Sequence, residues 1–247
     1  MNGRPGESEK GGADTLVRRI AEINNKVARA LSRSDDPHRE VGLIAVSKTF
    51  PVEKIRDAID AGLPSFGENR VQEIVPKYEE LKGQKIEWHF IGHLQTNKVK
   101  KLLEVPTKYI HSLDRLELAE ELERQLQKRG ELREVLIEVN TSAEASKSGV
   151  VPEEAMELIR KVSRLSSIRI KGLMTIGALT EDNEIVRRCF RQLRDISLQV
   201  RDESIDGVEM SELSMGMSGD FEIAVEEGAT IIRVGTAIFG DRYSPVL

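Results

Sequence analysis

The sequence predicts a single (β/α)₈ barrel, a TIM barrel, with one additional N-terminal helix, and three observations carry that expectation. Eight short apolar runs recur along the chain, amphipathic segments of helix length separate most of them, and 247 residues match the usual size of this fold. No composition break or short-period repeat divides the chain, so one domain is expected over residues 14–247. Residues 1–13, Gly-rich and charged, read as a disordered tail. An open doubly wound sheet is the alternative on pattern alone.

Asp14 offers a cap to a first helix whose apolar positions Leu16, Ile20, Ile23, Val27 and Leu31 recur at three- and four-residue steps. Strand-like runs then fall near residues 43–46, 65–67, 88–91, 109–111, 135–139, 168–174, 212–215 and 231–234. Pro51 opens a helical segment that ends at Gly62, Asp114 one that ends at Gly130, and Pro152 a third. Residues 184–200 read as a further helix with the single cysteine, Cys189, among its apolar positions. A buried thiol and a reducing compartment fit, and no internal disulfide can form.

With 39% hydrophobic and 32% charged residues and a net charge of -5, the chain reads as soluble and globular, with small-molecule partners. It has no signal-peptide core and no run long enough to span a bilayer, so a cytoplasmic protein is expected, without membrane partners. Lys98, Lys100 and Lys101, and Arg187, Arg188, Arg191 and Arg194, read as solvated helix faces, with Arg191 pairing Asp195; a protein-docking face is the alternative. Nucleic-acid binding would call for aromatic stacking groups, and aromatics are only 4% of the chain. A closed one-domain barrel is expected to be monomeric.

Chemistry in such barrels sits where strands end and loops begin. Lys48 closes the first apolar run and shares its parity with Ile44 and Val46, so the three point to one side of an extended chain. Two readings stay open on position: a Schiff-base amine or a lysine reaching water. Residues 214–220, Ser-Met-Gly-Met-Ser-Gly-Asp, follow the seventh strand, and Arg233-Val-Gly-Thr-Ala237 the eighth. Glycines near a helix start, with hydroxyls from Ser218 and Thr236, suit a phosphate. The plainer reading is that Gly216 and Gly219 serve a tight turn and Gly235 a strand exit. An aldehyde-reactive lysine facing a phosphate cradle describes a pocket for pyridoxal 5′-phosphate, with Arg233 at the ring nitrogen. A cation there weakens the ring as an electron sink and helps to keep Lys48 deprotonated.

From residue 44 to 240 the chain resembles the pyridoxal-phosphate-binding homeostasis proteins, also called the proline synthetase co-transcribed family. The resemblance is carried by AVSK ending at Lys48, FGENRVQE over 66–73, WHFIGHLQTNK over 88–98, EVN ending at Asn140, SKSG over 146–149, GLMTIG over 172–177, LSMGMSGD over 213–220 and RVGTAIFG over 233–240. Ala229 departs from the more usual serine. The resemblance implies a barrel similar to the N-terminal domain of alanine racemases, with the cofactor held as an internal aldimine on Lys48. It implies Arg233 at the ring nitrogen, Ser218, Gly235 and Thr236, beside Met217, at the phosphate, and Asn69, His93, Asn140 and Met174 around the mouth. It further implies cofactor homeostasis, with apo-enzymes and amino acids as partners and no catalytic residues.

An enzyme, such as an amino-acid racemase or decarboxylase, is the alternative. Racemases of this resemblance carry a second β domain and an opposing tyrosine. This chain stops soon after its eighth strand, and Tyr78, Tyr109 and Tyr243 match no such setting. No metal site is expected: His89 and His93 have the four-residue spacing of helical zinc ligands but fall on a strand exit. His111 reads as a structural histidine that could touch ligand, and no serine stands in a nucleophile elbow.

Overall fold

The computed structural model describes residues 7–144 and 146–240, with side chains from Thr15 onward. All eight expected strands form: β1 (Gly42–Val46), β2 (Ser65–Glu68), β3 (Glu87–Phe90), β4 (Thr107–Leu113), β5 (Arg133–Glu138), β6 (Ile168–Met174), β7 (Val208–Ser214) and β8 (Ile231–Val234). Each pairs in parallel with its sequence neighbours, and β1 pairs with β8 from Gly42↔Ile231 to Ala45↔Val234, so the sheet closes on itself. Closure decides against the open doubly wound sheet.

Strand alternation sorts side chains into two layers. Ala45, Phe66, Trp88, Phe90, Ile110, Val135, Ile137, Ile232 and Val234 face the helices in one large apolar cluster. Ile44, Tyr109 and Ile231, of opposite parity, meet separately inside the barrel.

Around the sheet lie α2 (Val52–Asp60), α3 (Val71–Glu80), α4 (Val99–Leu102), α5 (Leu116–Arg129), α6 (Pro152–Val162), α7 (Asn183–Asp202), α8 (Phe221–Glu226) and α9 (Thr236–Phe239). Their ends follow local chemistry. Pro152 occupies the first turn of α6, Gly130 stops α5 at φ +62, and the Asp182 carboxylate caps α7 by accepting from the Glu184 and Ile185 amides. Asp114 does not cap α5; it pairs with Arg115 at 2.5 Å.

The first helix, α1 (Glu7–Leu31), begins upstream of Asp14, so the helix runs through Gly11 and Gly12 and Asp14 lies inside it. A capping residue is only a permitted start, and a glycine inside a helix costs about 1 kcal/mol, which does not by itself end one. Of the expected tail, residues 1–6 lie outside the described residues. α1 covers what the short α8 and α9 leave bare: Leu16, Ile20 and Ile23 are buried, Arg19 donates to the Ile238 carbonyl (3.1 Å), and Lys26 and Arg33 pair with Glu222 (3.2 Å) and Glu226 (2.6 Å).

Cys189 is buried, as α7 periodicity implies. The arginines of α7 do not form a bare face. Arg187 pairs with Glu226 and Glu227 (both 2.6 Å), and Arg191 reaches Glu227 (3.0 Å), not Asp195, because the carboxylates at the end of α8 lie against this face. Among the described residues, no helix is long and apolar enough to cross a membrane.

Candidate functional site

The carboxyl ends of the strands gather the sequence-predicted residues at one end of the barrel. Lys48 follows β1, Asn69 follows β2, His93 follows β3, Asn140 follows β5, Met174 ends β6, Met217 and Ser218 follow β7, and Arg233, Gly235 and Thr236 lie on and after β8. Because β8 pairs with β1, residues far apart in sequence become neighbours: Arg233 sits beside Ile44, and a Cβ on Gly235 would lie 3.4 Å from the Val46 carbonyl.

Lys48 is half-buried, in a turn two residues beyond the end of β1. That turn is fastened on both sides. Ser47, fully buried, donates its amide to the Gly67 carbonyl (3.1 Å) and its hydroxyl to Glu68 (2.7 Å). Lys77, from α3, donates to Glu68 (2.5 Å) and to the Ser47 carbonyl (2.8 Å). Burial pushes the Glu68 carboxyl up, while Lys77 and Ser47 act against it. On the other side Thr49 holds φ 68, costly for a β-branched residue, and its amide donates to Glu73 (2.7 Å). FGENRVQE thus supplies two carboxylates, Glu68 and Glu73, that fix the backbone carrying the amine.

Arg233 is 4% exposed and donates to the Ser214 hydroxyl (2.7 Å) and the Thr175 carbonyl (2.9 Å). Burial lowers it to about 10, with Asp220 and Glu138 opposing. Next to it, the Ser218 hydroxyl accepts from the Gly235 amide (3.3 Å), so the two loops meet through the groups predicted for phosphate. Thr236 opens α9 and is exposed; Met217 is 37% exposed, its amide held by Asp220 (2.5 Å). The glycines divide in role. At Gly216, φ is +92 and a Cβ would stand 2.6 Å from that of Ala224, so its absence lets the loop turn tightly onto α8; Gly219 faces open space.

The mouth residues differ in how committed they are. Asn140 spends both ends of its amide on its own loop, donating to the Glu144 (2.9 Å) and Lys147 (3.4 Å) carbonyls and accepting from the Ser142 amide (3.2 Å) and hydroxyl (2.9 Å). It shapes the mouth. Asn69 keeps a buried side-chain oxygen with no partner among the described residues, and its backbone leaves no room for a Cβ on Gly92, which would lie 2.2 Å from the Asn69 carbonyl oxygen. His93, beyond the end of β3, is half exposed, 3.7 Å from Asp114, whereas His89, within β3, is 3% exposed inside the barrel and bonded to His111 (3.0 Å). Met174, which ends β6, is 1% exposed.

Sequence reasoning missed Glu138, Thr175, Ser214 and Asp220. Glu138 ends β5 in phase with Leu136, inside the barrel, 3% exposed, and its carboxyl makes no hydrogen bond or ion pair among the described residues. Burial and then Asp114 raise it to about 7, and Arg233 opposes. The parity of EVN carried the signal: residues 134, 136 and 138 share one face.

Comparison with known proteins gives the family and the fold. The family model described as alanine racemase, N-terminal domain, matches residues 20–243. A pyridoxal phosphate homeostasis protein of Aquifex aeolicus is 45% identical over 224 residues, 91% of this chain and 97% of the relative. One of Escherichia coli K12, bearing the same name, is 40% identical over 230 residues, 92% of this chain and 97% of its own. The structure of PipY from Synechococcus elongatus PCC7942 with PLP bound matches with TM-score 0.78 at 35% identity, covering 91% of this chain and 100% of that one. Alanine racemase of Clostridium difficile 630 shares the fold, with TM-score 0.71 and 15% identity over 94% of this chain and 58% of that one.

Proposed function

The chain belongs to the family of pyridoxal phosphate homeostasis proteins, built on the alanine racemase N-terminal barrel, and from that premise we propose that it is a reversible, monomeric, cytoplasmic holder of pyridoxal 5′-phosphate. Lys48 is the covalent anchor, joined to the aldehyde as an aldimine. The protein buffers this reactive aldehyde and passes it to apo-enzymes without robust turnover of its own. The observation that carries the reading is the placement of Lys48, Arg233 and the Ser218–Gly235 contact at the carboxyl ends of β1, β8 and β7, three adjacent strands.

The residues present fit the group. Lys48 offers the amine, the Ser218 hydroxyl and the Thr236 amide offer donors beside the Gly235 amide, which rests on Ser218 Oγ and would turn to the phosphate, and the Asn69 side-chain oxygen offers a polar contact at the rim. When bound, the cofactor supplies an aldehyde and a conjugated ring able to accept electrons. Arg233 is a donor-only guanidinium with N–H groups beyond the two used on Ser214 and Thr175, so it meets a ring nitrogen as an acceptor and disfavours its protonation. Ser47, Glu68, Lys77 and Glu73 hold the backbone on which Lys48 approaches.

One observation favours the second reading, an amino-acid racemase or decarboxylase: Glu138, raised to about 7, is able to hold or release a proton near Arg233. The two separate in one experiment. Loaded protein is mixed with an apo-enzyme in the presence of a scavenger of free cofactor, and in parallel with L- and D-amino acids followed by chiral analysis. Transfer that survives the scavenger, with no turnover, supports delivery; sustained turnover lost in Lys48→Ala overturns it.

A further inference from the structure

Below the cofactor site, four buried side chains run through the barrel without a break. Arg233 Nη1 donates to Ser214 Oγ (2.7 Å), Ser214 Oγ lies 2.9 Å from His111 Nδ1, and His111 Nε2 lies 3.0 Å from His89 Nδ1. Ser214 and His111 are fully buried, and His89 and Arg233 are 3% and 4% exposed. His89 also lines a cavity of about 330 Å³ at the opposite end of the barrel, with Tyr109, Glu212 and Ile231. We infer that Ser214, His111 and His89 form a one-directional hydrogen-bond chain that positions the Arg233 guanidinium, the group assigned above to the ring nitrogen. This rests on the cofactor reading for its purpose, but not for its existence.

The direction follows from donor and acceptor inventory. Guanidinium only donates, so Ser214 Oγ accepts from Arg233, and the hydroxyl proton needs another acceptor. Among the described residues His111 Nδ1 is the one in reach; were Nδ1 protonated instead, Ser214 Oγ would accept from both Arg233 and His111 and its own proton would be stranded in a buried site. His111 therefore carries its proton on Nε2 and donates it to His89 Nδ1, which leaves His89 protonated on Nε2. Burial keeps both rings neutral: His89 is lowered to about 4, and His111 lies well below the ordinary histidine value, lowered further by His89 and Arg233. With Thr175 holding the other guanidinium nitrogen at 2.9 Å, the planar fork is fixed at two points.

Two measurements test this. Long-range nitrogen–proton NMR on cofactor-free protein reports ring tautomers directly, and both His89 and His111 are expected as neutral Nε2–H forms at neutral pH. A proton on His111 Nδ1, or a charged ring, would overturn the chain whatever the protein binds. The second compares Ser214→Ala with Ser214→Thr, which keeps the hydroxyl, after circular dichroism has confirmed that each folds. Ser214→Ala is expected to weaken pyridoxal phosphate binding about tenfold, the effect of losing one charge-assisted hydrogen bond. It should also shift the pH profile of the bound cofactor's absorbance, and Ser214→Thr should restore both. Equal loss in both variants, or none in either, would overturn the positioning role. If the expected tautomers are found but wild-type protein takes up no cofactor, the chain stands and the proposed function fails.

Discussion

The layer between strands and helices and the layer inside the barrel are made by the same strands, yet they are opposites. Outside, Phe66, Phe90, Ile110, Ile137, Phe190 and Val234 are completely buried among apolar neighbours. Inside, from one end to the other, stand Glu212, Tyr109, His89, His111, Ser214, Arg233 and Glu138. Apolar burial of the outer kind contributes about 25 cal/mol per Å² without regard to direction, whereas each buried polar group costs free energy unless it is paired. The inner layer meets that cost by chaining: Thr230 and Tyr109 bond Glu212 (2.7 and 3.2 Å), and Arg233 connects through Ser214 and His111 to His89. Stability is thus invested in the outer layer and recognition in the inner one, and Glu138, without such a partner, is where the inner layer gives up stability.

The sharpest contrast is a deletion from each layer. Phe190→Ala leaves a cavity between α7 and the sheet and is expected to cost about 3–5 kcal/mol in urea unfolding, with cofactor affinity kept wherever the protein remains folded. A loss below about 1 kcal/mol would mean that the outer layer is not the main store of stability.

Inside, Glu138→Gln should act in the opposite direction. A folded carboxyl raised to about 7 favours its neutral form, so its contribution is complete below the unfolded value near 4.5 and is lost as pH rises through 7. Stability of wild type relative to the Gln variant should fall between those limits by an amount on the order of 3 kcal/mol. Parallel unfolding curves for the two proteins across that window would contradict a buried, unpaired carboxyl.

Gly216→Ala joins the layers, because the added Cβ would strike Ala224 on α8 while the positive φ strains the loop carrying Ser218. A loss of about 1–3 kcal/mol is expected, together with weaker cofactor binding. Unchanged affinity would detach the loop from the site.

What was legible in the chain follows the same division. The strands are readable because the face turned to the helices is apolar in every one, leaving short apolar-rich runs, and Pro152 and Gly130 mark helix ends by local backbone chemistry. Lys48 and Arg233, the anchors proposed above, stand out because a charge at the end of such a run is conspicuous. Glu138 and Ser214 do not, since their meaning depends on which strands become neighbours when β8 meets β1. Lys77 reads locally as an ordinary helix-surface residue, and only folding brings it to Glu68 and the Lys48 turn. Asn140 follows β5 as its place in the sequence implies, but its hydrogen bonds are spent on its own loop, which only the folded loop reveals. The extension of α1 past Asp14 was hidden because a capping residue inside a helix looks the same as one at its start.

The most direct measurement is borohydride reduction of the cofactor-loaded protein followed by peptide mapping for the pyridoxyl group. The modification is expected on Lys48, and Lys48→Ala should lose both the adduct and the imine absorbance. An adduct at another lysine, with that absorbance surviving in Lys48→Ala, would contradict the assignment of Lys48 as the covalent anchor.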